Sequence, residues 1–580
     1  MKKFKFILPI LLIANILCMM DVSIMTIVIP EIQSAFNESL SDLSWTVNVY
    51  TIVFAALIIP FGRLAEQLGR NRLVFIGLMT FGLGSLITGL SPNLTVMLIA
   101  RGIQSIGAAI IIPTSMVIGL EQGGDQNRNK VIAALAGAQG LAVAVGPTVG
   151  GFISQYGNWR WVFYINIPFI LILLLVYPFV LNIKHESRRI VKIDWIGTVL
   201  SCVSLTTLSL GLIKGNDWGW SSITTLAALT IAITAFVLFL LQENHTAFPM
   251  INLKLFKRND FKAASLALLL SNYFMGGMVI LIPTMLTKVQ GESELHAALL
   301  ITPYSIAVMI TVILTSMIVK KISNQLLIGS GFIIIAVSYY LMSHLNLQNN
   351  YNTLITAAIL LGIGYGLVAA TANILVAADF HGSQLTDANS VANILRQVGL
   401  IIAIALFTSV LTNNMKTAKQ STLTYAHEEI NKTHLATPLK HKFTKKINDK
   451  LDTNSSSTTD TNQTINLNTN PSKIESVALQ SVYQKQLRHV ANQSHLTVAQ
   501  LPTPLKENIK NNVTKVALPK IRQQEQINEK TVQQTITSIK GHLKTQSRQA
   551  FMSVYQTMSI IPVFSLLLLL LLKKHKKISD

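Results

Sequence analysis

Apolar runs long enough to cross a bilayer recur along this 580-residue chain, and no other feature constrains its fold as strongly. The hydrocarbon core is about 30 Å thick and offers the backbone no hydrogen-bonding partner, so a spanning segment is a helix of about 20 mostly apolar residues. Such runs lie at 6–29, 44–61, 73–90, 95–119, 131–154, 161–182, 195–213, 222–241, 263–286, 297–318, 326–345, 353–376, 389–412 and 550–572, which makes fourteen. Only 13% of the residues are charged, against about 25% in a soluble domain. The pattern predicts an all-α membrane protein and excludes an ordinary soluble enzyme. Lys2, Lys3 and Lys5 ahead of the first run imitate a secretory signal, but no small-residue cleavage site follows. Leu17 is too bulky before Cys18 for a lipoprotein-type site, so the run is read as the first span.

The formal charge of +21 is placed by topology rather than by a nucleic-acid partner. Counting alternate loops as cytoplasmic puts 22 Lys and Arg there, whereas the short outer loops hold Arg160, Lys214 and Lys288. By the positive-inside rule both termini are cytoplasmic and residues 413–548 are extracellular. That long segment carries 20 Lys and Arg against 9 Asp and Glu, without contradiction, because long loops translocate largely regardless of charge.

Several chemistries lack their residues. Cys18 and Cys202 both fall in apolar runs, leaving no disulfide framework and no thiolate metal site. No G-x-x-x-x-G-K-[ST] phosphate cradle is present, and His427-Glu428-Glu429 lacks a second histidine at zinc-protease spacing, the next being His434. Uphill movement would then draw on an ion gradient, with no cofactor and no metal, and that requires an ionisable group inside the membrane. Asp21 is the acid that lies well inside a span, too short to reach the surface. It sits about nine residues, or roughly 13 Å, from the outer end of its helix, and Arg101 in the fourth span lies at roughly 10 Å. If those helices are neighbours, the arginine favours the ionised acid while burial favours the protonated one. A purely structural ion pair is the alternative.

Sequence motifs carry a resemblance. Gly62-Arg63-Leu64-Ala65-Glu66-Gln67-Leu68-Gly69-Arg70, between the second and third spans, places glycines at two points where the chain is expected to turn tightly. It resembles the G-x-L-a-D-r-x-G-r-k loop of the major facilitator superfamily, with Glu66 in place of the aspartate and Gln67 in place of a basic residue. Arg101-Gly102-Ile103-Gln104-Ser105 is similar to that family's R-x-x-Q-G motif, with Ser105 at the glycine. Gly146-Pro147-Thr148-Val149-Gly150-Gly151 resembles the antiporter motif of its exporters, although Ala142 stands at the usual first glycine. Trp159-Arg160-Trp161-Val162-Phe163 through Asn166 and Pro168 looks like a signature of its fourteen-span drug:proton antiporter branch, as does Met20-Asp21 leading to Pro30.

The resemblance implies a major facilitator fold of two six-helix bundles with two inserted helices. Residues 1–182 would form the first bundle and 183–262 the inserted pair with its linkers. The second bundle would combine 263–412 with the last helix in 549–580, and 413–548 would form an outer helical hairpin with a disordered middle at about 449–472. It implies proton coupling through Asp21 and Arg101, and conformational roles for Gly62, Glu66, Gly69, Arg70, Gly146, Pro147, Gly150 and Gly151. Asn15, Tyr50, Gln104, Gln139, Asn272, Tyr304, Asn373, Asn393 and Gln397 are polar groups on apolar spans, hence candidates for a substrate cavity, or else glue between helices. The expected activity is proton-driven export of small amphipathic or lipophilic compounds, lipophilic cations included. A same-fold exporter of a specific lipid, amino acid or metabolite is an alternative, as is a receptor or scaffold acting through the outer segment. That segment is a solvated spacer or a docking surface for anionic cell-surface polymer or lipid headgroups.

Overall fold

A computed structural model describes residues 4–572 apart from 39, 184–185, 187–193, 247–248, 250, 252, 320, 348–349, 379, 381–382 and 452–470. The expected disordered middle falls largely outside the described residues. In chain order the helices are α1 (Phe4–Phe36), α2 (Leu40–Leu68), α3 (Arg70–Leu90), α4 (Leu94–Tyr156), α5 (Trp161–Tyr164), α6 (Asn166–Val180), α7 (Trp195–Trp218), α8 (Ile223–His245) and α9 (Asn259–Thr284). They continue with α10 (Glu294–Ile318), α11 (Asn324–Ser343), α12 (Asn352–Ala378), α13 (Ser383–Lys432), α14 (Thr437–Leu451), α15 (Pro471–Gln493), α16 (Thr503–Met558) and α17 (Ile560–Phe564). No strand occurs among the described residues.

Side-chain oxygens start many of these helices by accepting from backbone N–H groups that have no partner inside the helix. Asn93 caps α4, Asp194 caps α7, Ser222 caps α8, Ser293 caps α10 and Ser323 caps α11. Each stands where a polar residue precedes an apolar run, so the boundary is written locally in the sequence.

The chain forms two compact units. The first holds residues up to Asn414 together with those from Ala550 onward. Its surface inverts the soluble pattern, since Leu175, Phe179, Ile223 and Ile233 stand exposed on α6 and α8 while Asn15, Asp21, Arg101 and Gln104 are buried. Among the described residues thirteen helical stretches are long and apolar enough to cross a membrane. The fifth expected span, 131–154, is the second arm of α4. The arms of α4 meet at Gly124, whose φ of 64° and ψ of 177° break the helical path. A side chain would strain that backbone, which is why glycine occupies it.

α4 therefore touches much of the unit, packing on α1, α2, α3, α10 and α12. α7 and α8 pack on each other, and α7 leans on α2. Trp159 is buried against Phe36 and Phe163 with ring centroids 5.4 and 6.2 Å apart, whereas Trp161 is exposed.

The second unit comprises the residues from Met415 to Gln549 among those described, and it has its own cores. Ala426, Ile430, Leu435, Phe443, Ile447, Val532, Ile536 and Ile539 form one cluster, and Leu487, Ala491, Leu501, Ile509 and Val513 form another. The expected hairpin is thus elaborated, because α14 and α15 supply apolar faces besides those of α13 and α16.

Candidate functional site

The sequence places Asp21 and Arg101 at similar depth, and the structure puts them in contact. Arg101 Nη1 pairs with Asp21 Oδ2, and Gln104 Nε2 donates to Asp21 Oδ1 at 2.8 Å. Arg101 and Gln104 are three residues apart on α4, so they share a helix face and bond each other, Arg101 Nη1 donating to Gln104 Oε1 at 2.9 Å. Arg101 Nε donates to the Thr46 carbonyl at 3.0 Å, and the guanidinium lies 4.5 Å from the centre of the Tyr50 ring. Tyr50 in turn donates from its hydroxyl to the Cys18 carbonyl at 3.0 Å and accepts, on its own carbonyl, the Ser105 hydroxyl at 2.6 Å. Ser105 thereby ties α4 to α2. Asp21 is 2% exposed and Arg101 is fully buried, so the charges of this cluster are set against each other away from the surface.

Beside it lies a cavity of about 230 Å³. It is lined from α1, α2 and the second arm of α4 on one side and from α9, α10, α12 and α13 on the other. Tyr50, Gln139, Asn272, Asn373, Asn393 and Gln397 line it together with Asn48, Thr51, Tyr365 and Arg396. Three members of the expected cavity set lie elsewhere. Gln104 is turned onto Asp21, Asn15 is buried behind Gln139 and accepts from its Nε2 at 3.1 Å, and Tyr304 is buried where α10 closes on Gly362 of α12. Asp21 and Arg101 do not line the cavity either, but Tyr50 borders both the cavity and the charged cluster.

Arg396 was not among the expected cavity residues. Its Nη1 donates to Gln139 Oε1 at 2.9 Å and to Asn393 Oδ1 at 3.1 Å, and its Nη2 donates to Asn373 Oδ1. The amide nitrogens of Asn373 and Asn393 are tied back to Ala369 and Asn389 of their own helices, which turns both oxygens toward the arginine. The spacing of Asn393 and Arg396, one helical turn apart, was the available signal. The acceptors on α4 and α12 have no such local mark.

A second set of charges stands at the end of the helices where α2 meets α3. Arg63 pairs with Glu66 at 3.2 Å and with Asp387 of α13 at 2.8 Å, and Arg70 pairs with Glu66 at 3.2 Å and with Glu121. At the same end Arg128 donates to the carbonyls of Ala377 and Phe380, the latter at 2.7 Å. The sequence reading missed Asp387, whose meaning depends on an arginine more than three hundred positions away. It also expected Gly62 to make a turn. α2 instead runs as helix through Gly62 to Leu68, and Gly69 reverses the chain with a φ of 102°. Toward the other end, the second arm of α4 meets α10 through the Thr148 and Thr302 hydroxyls, 2.7 Å apart. Gly146, Gly150 and Gly151 are buried on this arm, which also carries Pro147, and Gly146 lies so close to Ser23 of α1 that no Cβ fits between them.

A family model described as the Major Facilitator Superfamily matches residues 11–404. The chain belongs to this superfamily. It is 27% identical over 402 residues to the multidrug transporter protein MdtP of Bacillus subtilis, covering 69% of this chain and 74% of the relative. It is 27% identical over 394 residues to the multidrug resistance protein Stp of Mycobacterium tuberculosis, covering 68% and 73%. To the probable multidrug resistance protein EmrY of Escherichia coli it is 28% identical over 329 residues, covering 57% and 64%. As a member of the superfamily it is a multi-pass membrane protein and a secondary transporter, not an enzyme. The family match stops short of the second unit.

Proposed function

We propose that this transporter exports small amphipathic compounds of the multidrug type in exchange for protons. Its termini and the Arg63–Asp387 contact lie on the cytoplasmic side, and residues 413–548 lie outside. The observation that carries the reading is the buried Asp21, held by Arg101 and Gln104 and set off the lining of a cavity that Tyr50 borders. The names of the relatives support the substrate class.

In the exchange, the bundles formed by 1–182 and by 263–412 with the last helix rock about the cavity. With the cavity open outward, Asp21 accepts a proton and substrate leaves. Protonation removes the counter-charge of Arg101, which remains held by the Thr46 carbonyl, Gln104 and the Tyr50 ring. The packing of α1 against α2 and α4 is thereby reweighted, and only such a difference between the two conformations can let a proton drive the change. With the cavity open inward the proton leaves, the ion pair reforms and substrate binds.

The test uses inside-out vesicles with an imposed proton gradient and a panel of lipophilic compounds, following internal pH. Substrate-dependent proton flux is expected from the wild type and none from Asp21→Asn at equal abundance in the membrane. Undiminished coupled flux in the variant would remove Asp21 from the mechanism.

A further inference from the structure

Among the described residues lining the cavity, Arg396 is the only charged one. The other lining groups are amides, hydroxyls and an apolar wall that includes Val22, Val47, Phe54, Val279 and Ile404. No carboxylate among the described residues pairs with Arg396, whose acceptors are the three amide oxygens of Gln139, Asn373 and Asn393. Amide oxygens orient a guanidinium and leave its charge in place. Asp21 is paired with Arg101 and is not among the residues lining the cavity. Three of the five N–H donors of Arg396 are used in these bonds, and the residue lines the cavity.

We propose that the cavity is a site for amphipathic anions, with Arg396 receiving the anionic group and the apolar wall receiving the body. The inference rests on the export reading and narrows its substrate class from amphipathic compounds in general. A lipophilic cation would bring a second positive charge into a cavity that already holds one unneutralised. A carboxylate or phosphate instead completes a charge-assisted pair in a low-dielectric site, where a planar guanidinium can engage two oxygens at once. The charge carried per cycle follows. One proton entering as one monovalent anion leaves moves two positive charges inward, whereas exchange against a monovalent cation moves none. Export of an anion is therefore accelerated by an inside-negative potential.

Two measurements on the full chain test this. In the first, equilibrium binding to the purified protein is compared for a lipophilic carboxylic acid at a pH where it is ionised, its neutral methyl ester and a quaternary ammonium compound of similar size. The wild type is expected to bind the carboxylate at least about tenfold more tightly than either of the others, the scale of a charged hydrogen bond. In Arg396→Gln the ratio of carboxylate to ester affinity falls by about ten- to a hundredfold, and Arg396→Lys keeps part of it. A wild type that prefers the ammonium compound, or a carboxylate-to-ester ratio unchanged in Arg396→Gln, overturns the proposal. If Arg396→Gln does not fold, the preference of the wild type still decides. Phosphatidylglycerol in the binding mixture separates the sources of the anion: competition with the carboxylate assigns the site to a lipid headgroup, and its absence assigns it to a free amphipath. The second measurement follows carboxylate export from proteoliposomes under a potassium diffusion potential. Selective binding that needs Arg396 without any proton-coupled export would leave the anion site standing and sink the exchange reading. Coupled export of neutral compounds alone would do the reverse.

Discussion

Asp21 offers two acceptor oxygens, and each has a separate partner, Arg101 on one and Gln104 on the other. Asparagine keeps one acceptor and turns an NH₂ toward the second partner. Asp21→Asn can still receive Arg101, so its stability cost is that of a weakened charged hydrogen bond and one lost contact, about 1–3 kcal/mol. Asp21→Ala removes the acceptor as well as the counter-charge that both variants lose, which costs about 3–5 kcal/mol. Thermal unfolding in detergent is expected to rank the wild type above Asp21→Asn and Asp21→Ala lowest. Equal stability of wild type and Asp21→Ala would mean that the pair does not hold α1 to α4. At this scale much was legible beforehand. The depth of Asp21 and Arg101 follows from counting residues along two antiparallel helices, and Gln104 sits one turn from Arg101. The surroundings of Arg396 were not legible, because its acceptors converge from α4, α12 and α13, and only the one on its own helix shares a local spacing with it.

On the scale of elements, contact between α1 and the second arm of α4 depends on the absence of a side chain at Gly146. A Cβ there would stand 1.9 Å from Ser23 Oγ, 3.0 Å from Ser23 Cβ and 3.1 Å from the Met20 carbonyl. Rotating the hydroxyl relieves only the first of these, so Gly146→Ala must push the two helices apart. Overpacking of this kind costs about 1–3 kcal/mol. Slowed transport and a lowered Tm are expected, with Ser23→Gly in the same chain restoring a good part of both; a double variant no better than the single one would locate the damage elsewhere. The helices were largely readable from apolar length and capping residues. Their joins were less so: Gly62 sits in a loop-like motif yet stays helical, whereas the break at Gly124 falls in the gap between the expected spans 95–119 and 131–154.

For the molecule as a whole, a set of contacts at each end joins the earlier helices to the later ones, in addition to the Arg396–Gln139 bond at the cavity. Arg63 with Asp387 and Arg128 with the end of α12 act at one end, and Thr148 with Thr302 acts toward the other. Asp387→Asn weakens the first set and is expected to raise, several-fold, the labelling from the cytoplasmic face of a cysteine introduced at Ala370, a cavity-lining position. Unchanged labelling would show that this ion pair does not hold the cytoplasmic end closed. The second unit builds its cores from its own residues and lies beyond the family match. Deleting 420–545 should accordingly leave proton-coupled transport in proteoliposomes within about twofold, and its loss would draw that unit into the cycle. The position of Tyr50 bears on the membrane around the protein. Because Tyr50 borders the cavity while Asp21 stays off its lining, a copy at rest in this conformation keeps the carboxylate out of direct reach of the cavity, which limits idle leakage of the potential that other machines in the same bilayer live on.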